Sequence, residues 1–293
     1  MGNGGPYWIL GVNGGGAWQD SDVKALPGGG WSFYLGHSLT NKPNAFFSTD
    51  LRFRYLNSNT FGQNSSDDYL GNDALKDPFV FNYDPDSAAF AHNHKTDFHD
   101  LSLELRANFE ELRRKSRIHL SAYAGIGMGV YGSQFDQLDA NGSPYNYDNI
   151  DYSQSEDAVI DELITIRDGE FETNANPDAF DDNQYKVTFT PTVGAELGYW
   201  FSPSFSLGLG YRTTFTMTDE FEGIKSKKNN ASQHHYASLN LHWRLQPKKS
   251  KVMCPDVKFS LPATNNQTIT TSRSNIFVSA SVSNVVQLSL IHI

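Results

Sequence analysis

The chain has 293 residues, with 38% hydrophobic and 13% aromatic side chains, a single Cys and a formal net charge of −10. One Cys excludes an intramolecular disulfide framework. The acidic balance argues against a nucleic-acid partner, because such a partner needs a basic surface. No run approaches the roughly 20 apolar residues of a membrane helix, so any membrane role would require a β-barrel.

Eight segments along the chain alternate apolar and polar residues with a period of two. In the fifth, for example, the apolar Ile118 and Leu120 flank the polar His119. Such alternation predicts strands with one apolar and one polar face. In chain order, the predicted strands are Tyr7–Trp18, Gly30–Leu39, Ala45–Leu56, Asp97–Phe109, Arg117–Tyr131, Tyr185–Phe201, Phe205–Met217 and His234–Leu245.

The connections between these segments alternate in length. Thr40–Asn44, Glu110–Ser116 and Ser202–Ser204 are tight joints. In contrast, roughly 40 residues follow the third strand and roughly 50 follow the fifth, against about 4–6 in compact domains. A barrel in an outer membrane has short periplasmic turns and long extracellular loops. The pattern therefore predicts an all-β fold: an eight-stranded antiparallel transmembrane β-barrel over residues 1–245.

The composition of the polar face indicates which face lines the lumen. It carries charges of both signs in mid-strand, and these can pair inside a narrow lumen, whereas unpaired burial is costly. Its many glycines suit the crowded interior of an eight-stranded barrel. A soluble, lipocalin-like ligand carrier with its apolar face turned inward is the alternative. The predicted lumen network consists of Asp50, Arg52, Arg54, Glu104, Arg106, Glu196, Arg212 and Arg244.

Large aromatic residues lie near the strand ends on the apolar face. Membrane barrels place such residues in girdles at both interfaces between the lipid and water. The apolar face is therefore predicted to point toward lipid, with its girdles including Trp8, Trp31, Phe47, Tyr199 and Trp243.

Histidines cluster at the start of the fourth strand. His92, His94 and His99, with Asp97 and Asp100 beside them, are residue types that bind transition metals. A solvated loop leading into a strand explains the same residues without an ion, and we favour that interpretation. The spacing is therefore only a weak indication of a metal site.

A second weak metal candidate lies in the long connection after the fifth strand. Asp139, Asn141 and Asp148 resemble part of a calcium loop, but turn-forming residues around Gly142 explain the segment without an ion. We predict no cofactor. In the same connection, the acidic start and apolar spacing of Ser155–Ile164 predict a short helix over the barrel mouth.

The sequence bears on three other function classes: an enzyme, a pore, and an adhesin or receptor. A membrane-embedded enzyme needs His, Ser and acidic groups that converge near one rim. His119 and His242 face the predicted lumen without an evident nucleophile, so we interpret them as hydrogen-bonded residues that fill it. The charged interior argues against a narrow pore. The long loops leave an adhesin or receptor role open.

Five segments carry a further signal: Tyr7–Gly15, Asp50–Leu56, Pro203–Leu209, Phe215–Asp219 and His235–Leu241. Their order and spacing resemble the N-terminal β-barrel of OmpA-family outer-membrane proteins of the Bacteroidetes type. The resemblance covers about residues 7–245. It implies a non-enzymatic barrel in the cell outer membrane that contributes to envelope integrity. The implied partners are outer-membrane lipid and lipopolysaccharide and, through a C-terminal domain, peptidoglycan.

Both ends of the chain depart from that family. The first residues lack the basic and apolar regions of a signal peptide, so we expect such a segment to have preceded them. Residues 246–256 read as a linker. Residues 257–293 alternate like the first strands of an immunoglobulin-like sandwich and are too few to bury a stable core. We interpret them as a truncated periplasmic segment, and we expect the peptidoglycan-binding domain of the family to be absent from this chain.

Overall fold

A computed structural model describes residues 6–21, 23–40, 45–65, 91–143, 145–147, 149–175, 185–223 and 232–245. These ranges contain eleven strands and two helices. In chain order they are β1 (Trp8–Asp20), β2 (Lys24–Leu26), β3 (Gly28–Thr40), β4 (Phe47–Gln63), β5 (Asn93–Phe109), α1 (Glu110–Ser116), β6 (Ile118–Phe135), α2 (Glu156–Ile166), β7 (Thr173–Asn174), β8 (Lys186–Phe189), β9 (Thr192–Trp200), β10 (Phe205–Phe215) and β11 (Gln233–Leu245).

The long strands close into a barrel. Pairing runs in the order β4, β3, β1, β11, β10, β9, β6, β5 and returns from β5 to β4. Each of these pairs is antiparallel. The short strands β2, β7 and β8 add to β4 and β6 at the end that carries the long connections. The predicted eight-stranded antiparallel barrel is confirmed.

The sixth predicted strand, Tyr185–Phe201, is divided into β8 and β9. Pro191 lies at the break, because proline has no N–H to donate to a neighbouring strand. The ladder resumes on both sides: Thr190 N–H donates to Gly127 O over 2.9 Å, and Pro191 O accepts from Phe215 N–H over 2.9 Å. The wall of the barrel therefore remains continuous.

The predicted tight joint Glu110–Ser116 is instead the helix α1. It has acidic residues in its first turn and basic residues in its last turn, which suits the helix dipole. The helix ends at Arg117, whose φ of 62° is left-handed and whose N–H donates to Arg113 O over 3.1 Å. This short helix and the turn at 201–204 keep one end of the barrel compact.

The outward face of the barrel is a continuous apolar band. Leu103 in β5, Leu209 in β10 and Leu239 in β11 are 46%, 67% and 53% exposed. Along β11, outward apolar residues run from Ala237 to Leu245. At about 3.3 Å per residue and a tilt of about 40°, this stretch is about 20 Å tall.

Aromatic rings border this band at both edges. Near the short connections, the Phe205 ring stacks on Phe201 and Trp243, with centroids 6.2 and 5.8 Å away. Near the long connections, Trp18 contacts Tyr211 at 6.1 Å. Each of the aromatic residues predicted for the girdles, Trp8, Trp31, Phe47, Tyr199 and Trp243, is between 46% and 50% exposed on the outer face.

Within the described residues, no helix is both long and apolar enough to cross a membrane. The predicted linker at 246–256 and the predicted truncated segment at 257–293 lie outside the described residues.

Candidate functional site

The eight residues predicted as the lumen network all point into the barrel. Alternation turns Asp50, Arg52 and Arg54 of β4 inward, and it does the same for Glu104 and Arg106 of β5. None of the eight is more than 6% exposed. Because the lumen is narrow, residues that are distant in sequence lie within contact distance there.

Glu196 is the centre of the ion pairs. Its Oε1 accepts hydrogen bonds from Arg52 Nη1 at 2.8 Å and Arg54 Nη2 at 3.4 Å. Its Oε2 accepts from Arg106 Nη1 at 3.1 Å. Arg106 also binds both carboxylate oxygens of Asp50, at 2.6 to 2.9 Å. Such pairing offsets the cost of burying these charges.

Asp100 completes the charge balance and was missed as a lumen residue by the sequence analysis, which grouped it with the nearby histidines. Arg212 Nη2 donates to Asp100 Oδ2 at 2.7 Å, and Thr190 Oγ1 donates to Asp100 Oδ1 at 2.5 Å. The signal that could have found it is its spacing of four from Glu104, which places both on one face of β5.

Arg244 lies apart from these ion pairs. Its guanidinium carbon is 4.2 Å from the Tyr7 ring centroid and 4.4 Å from that of Trp200. No carboxylate of the described residues forms an ion pair with it. Arg244 therefore belongs to the floor of the barrel, where cation–π contacts with two rings stabilise its charge.

Two tyrosine rings sandwich the central arginines. The guanidinium of Arg52 lies 4.7 Å from the Tyr34 centroid and 4.6 Å from that of Tyr123. The rings fit because the facing wall positions are glycines: a Cβ on Gly11 would lie 2.2 Å from Tyr34 Cζ. Gly194 opposes Tyr123 in the same way, at 2.3 Å from its Cζ. The lumen is therefore filled by side chains at this level.

The connection between β10 and β11 closes the upper lumen. Phe221 is fully buried there and packs on Phe98 and Tyr131, with both centroids 5.2 Å away. Its backbone carbonyl accepts hydrogen bonds from the hydroxyls of Thr96 and Ser133, both at 2.9 Å. Phe221 therefore acts as a plug above the ion pairs.

A lid covers the barrel mouth. Its core contains Val159 and Leu163 of α2, packed with Tyr145 and Tyr147. The Ser155 side chain caps α2 by accepting from Ala158 N–H at 3.4 Å. The helix predicted for this connection is thus present, and its apolar side faces inward.

The lid is attached to the barrel by polar contacts. Lys24 of β2 pairs with Asp157 at the start of α2. After α2, Arg167 donates to the Gln63 side chain, to Ala91 O and, at 3.3 Å, to the Tyr147 hydroxyl. A cavity of about 370 Å³ remains between the lid and the rim, lined in part by Gln63 and Arg167.

Two carboxylates in the segment between β6 and the lid, those of Asp136 and Asp139, have opposite electrostatic surroundings. Burial raises the pKa of Asp136 above its ordinary value, although Gly169 N–H donates to its Oδ2 at 3.1 Å. The pKa of Asp139 is instead lowered by the backbone N–H groups of Ser143 and Asn141, which donate to its Oδ1 at 2.8 and 2.9 Å. The surroundings therefore destabilise the charged form of Asp136 and stabilise the charged form of Asp139.

The weak metal candidates do not converge on one point. His92 and His94 are buried inside the rim, with centroids 5.6 Å apart, whereas His99 faces outward and its Nδ1 lies 2.9 Å from the Tyr55 hydroxyl. Alternation along the strand separates them. The contacts described above for Asp139 and Asn141 form an ordinary turn, with Gly142 at a φ of 76°. Asp148 lies outside the described residues.

The structure instead brings together His119, Glu196 and His242. One ligand atom from each lies within 4.8 Å of the other two, and all three residues are buried. The prediction that both histidines are hydrogen-bonded is wrong: within the described residues, neither ring nitrogen of His119 or His242 has a hydrogen-bond partner. From the sequence, alternation predicts only that both histidines point inward. The three residues belong to β6, β9 and β11, so their contact depends on how the barrel closes.

One Ser–His contact bears on the enzymatic alternative. Ser58 Oγ lies 2.9 Å from His234 Nε2. His234 Nδ1 has no partner among the described residues, so no acidic group orients the ring as a catalytic triad requires. Both residues are buried, and His234 also lies 4.9 Å from Phe98, centroid to centroid. The contact is therefore part of the buried packing of the upper lumen.

Comparisons with known proteins give structural similarity only. No protein-family model matches the chain, and no curated protein matches it. Neisserial surface protein A aligns at 11% identity with a TM-score of 0.39, over 82% of this chain and 98% of that one. Ail from Yersinia pestis, solved with a heparin analogue, aligns at 11% and 0.38, over 82% and 99%. The N-terminal β-barrel domain of OprF from Pseudomonas aeruginosa aligns at 10% and 0.30, over 81% and 97%.

Proposed function

We propose that this chain is an outer-membrane β-barrel whose function is structural and non-enzymatic. The observation that carries the proposal is the inverted polarity of the barrel. Leucines cover the outside, whereas paired charges fill the inside. Water would disfavour so large an apolar surface, but lipid favours it. The soluble, lipocalin-like alternative requires the reverse arrangement.

The girdles and the connections indicate the orientation. The end with α1 and the turn at 201–204 has short connections, as periplasmic ends do. The opposite end carries α2, β7 and the plug, and it faces the cell exterior. The acidic residues of α2 would then lie at the lipopolysaccharide surface, where divalent cations can bridge them to anionic lipid.

The filled lumen supports a structural role over transport. The Phe221 plug, the tyrosine–arginine level and the cation–π floor block the barrel at three heights. We place the chain with the OmpA family of the Bacteroidetes type, on the sequence segments named above. On that placement, the protein would contribute to envelope integrity, with peptidoglycan as a further partner through a C-terminal domain.

Fractionation combined with gel mobility tests the membrane proposal. The expressed protein should sediment with outer membranes and resist extraction by urea. After mild detergent extraction, the unheated protein should migrate faster than the boiled protein, because a folded membrane barrel remains compact. Recovery in the soluble fraction would overturn the proposal.

Loss of the gene in its own host tests the structural role. The depleted cells should leak periplasmic enzymes and become sensitive to large antibiotics, and the wild-type gene should restore both properties. A variant lacking the lid residues 145–167 should restore them equally well, because the barrel carries the function. If only the lid-containing form restores both properties, a loop-mediated receptor or adhesin role is favoured instead.

A further inference from the structure

Among the described residues, several buried polar atoms without a hydrogen-bond partner lie together at one level of the lumen, just above its floor. They are the four ring nitrogens of His119 and His242 and the hydroxyls of Ser121 and Ser206. Buried polar groups in folded proteins nearly always have a partner, so a cluster of exceptions requires an explanation. The paired strands place these residues together: Ser206 is opposite His242, and Ser121 is opposite Glu196.

We propose that His119, His242 and Glu196 form a binding site for a divalent transition-metal ion, with zinc as the representative ion. Two neutral imidazoles and one carboxylate are a common ligand set for such ions. The His242 Nε2 atom lies 3.8 Å from Glu196 Oε2, and the imidazole centroids are 5.2 Å apart.

Only a small movement is needed to complete the site. In a tetrahedral zinc centre the ligand atoms are about 3.3 Å apart, since each bond is about 2.0 Å long. The three candidate atoms already lie within 4.8 Å of one another. Rotation of the two imidazoles would bring the ligand atoms from their present separation to the shorter one that zinc requires. Gly198 provides the space on the barrel wall, because a Cβ there would lie 2.3 Å from His119 Cε1.

The hydrogen bonds of Glu196 leave one of its oxygens, Oε2, facing His242. Its Oε1 is held by Arg52 and Arg54, whereas the metal-facing Oε2 accepts only from Arg106 among the described residues. If Oε2 binds the ion, Arg106 keeps its bidentate pair with Asp50. The hydroxyls of Ser121 and Ser206 remain available to bind a metal-bound water.

Such an ion would join β6, β9 and β11 across the lumen, in addition to the hydrogen bonds of the wall. It would act as a structural centre, because binding to the folded barrel alone raises its stability. The site does not depend on the lid, and it is distinct from the rim histidines His92 and His94.

Calorimetric titration with zinc tests the site, using untagged protein folded in detergent and stripped with chelator. We expect one zinc ion per chain, and His119→Gln and His242→Gln should each weaken binding by about tenfold or more. Outward-facing His99→Gln serves as the matched control and should leave binding unchanged. The heat-dependent mobility shift checks that each variant is folded.

X-ray absorption at the zinc edge gives a second measurement that does not depend on variants. It should show two imidazoles and additional oxygen ligands at about 2.0 Å in the loaded protein. The proposal is overturned if no zinc binds, if both lumen variants bind as the wild type does, or if the spectrum shows oxygen ligands alone. The last outcome would indicate binding to the acidic loops.

Discussion

Several charged residues in the lumen of this barrel are stabilised by ion pairs with more than one partner. Arg106 has Asp50 on one side and Glu196 on the other, so its charge is fully compensated only when both are present. A buried ion pair adds little stability compared with apolar packing, but removing one partner leaves the other charge buried and unpaired. The effect of a single substitution here should therefore be large.

Replacement of Arg106 by Leu tests this coupling. The variant should lose about 3–5 kcal/mol of unfolding free energy, because Asp50 remains buried without its partner. Lys115→Leu on α1 is the control: its pair with Glu111 is exposed and screened by solvent, so the unfolding free energy should hardly change. Urea titration in lipid vesicles, followed by tryptophan fluorescence, measures both. Equal stabilities would contradict the pairing described here.

Substitution of Asp136 and of Asp139, which lie between β6 and the lid, should change the rate of lid opening in opposite directions. Because burial raises the pKa of folded Asp136, its stabilising contribution is complete below the ordinary value of 3.8 and is lost as pH rises through the raised value. Asp136→Asn should therefore slow lid opening, relative to the wild type, at neutral pH more than at acidic pH. Asp139→Asn should speed it at neutral pH, since the ionised Asp139 accepts two backbone N–H groups.

Amide hydrogen exchange in α2 measures lid opening in both variants. The ratio of variant to wild-type rates at each pH removes the intrinsic pH dependence of exchange. The two measurements are made at roughly pH 3.5 and pH 7, below and above the expected titration of Asp136. The interpretation of Asp136 is wrong if the ratio of Asp136→Asn to wild-type exchange rates is the same at both.

At the level of elements, the sequence predicts what is local and periodic. The strands were found because alternation is set by which face meets lipid and which meets the lumen. The sequence predicts that the inward charges pair but not which partners meet, because contacts such as Arg52 to Glu196 depend on barrel closure and register. The plug was also missed: Phe221 lies in a connection with no periodic pattern, and only the fold shows where it inserts.

The plug should contribute to stability without being the sole barrier to ions. Phe221→Ala removes a fully buried ring and should cost about 3–5 kcal/mol. Planar-bilayer recordings of this variant should still show no open channel, because the arginines and tyrosines below it continue to fill the lumen. Wild-type protein is the control in both measurements. Steady conductance in the variant would show that Phe221 alone seals the barrel.

At the scale of the whole molecule, the deciding property is that the apolar surface is outside. A soluble barrel and a membrane barrel can share the same strand order, yet they differ in what a charge on the outer face costs. In lipid, an arginine at the midplane costs about 2–4 kcal/mol, and this falls to about 0–1 kcal/mol near the interface. In water, either position would cost little.

Leu209→Arg and Thr213→Arg place the same charge at two heights on β10. Leu209 is 67% exposed near the middle of the apolar band, whereas Thr213 lies beside His235 at the girdle near the long connections. In lipid vesicles, Leu209→Arg should lower the unfolding free energy by about 2–4 kcal/mol, and Thr213→Arg by about 1 kcal/mol or less. Urea titrations of the two variants and the wild type measure this difference. Equal effects at both heights would mean that the band does not face lipid, and the outer-membrane assignment would fail with it.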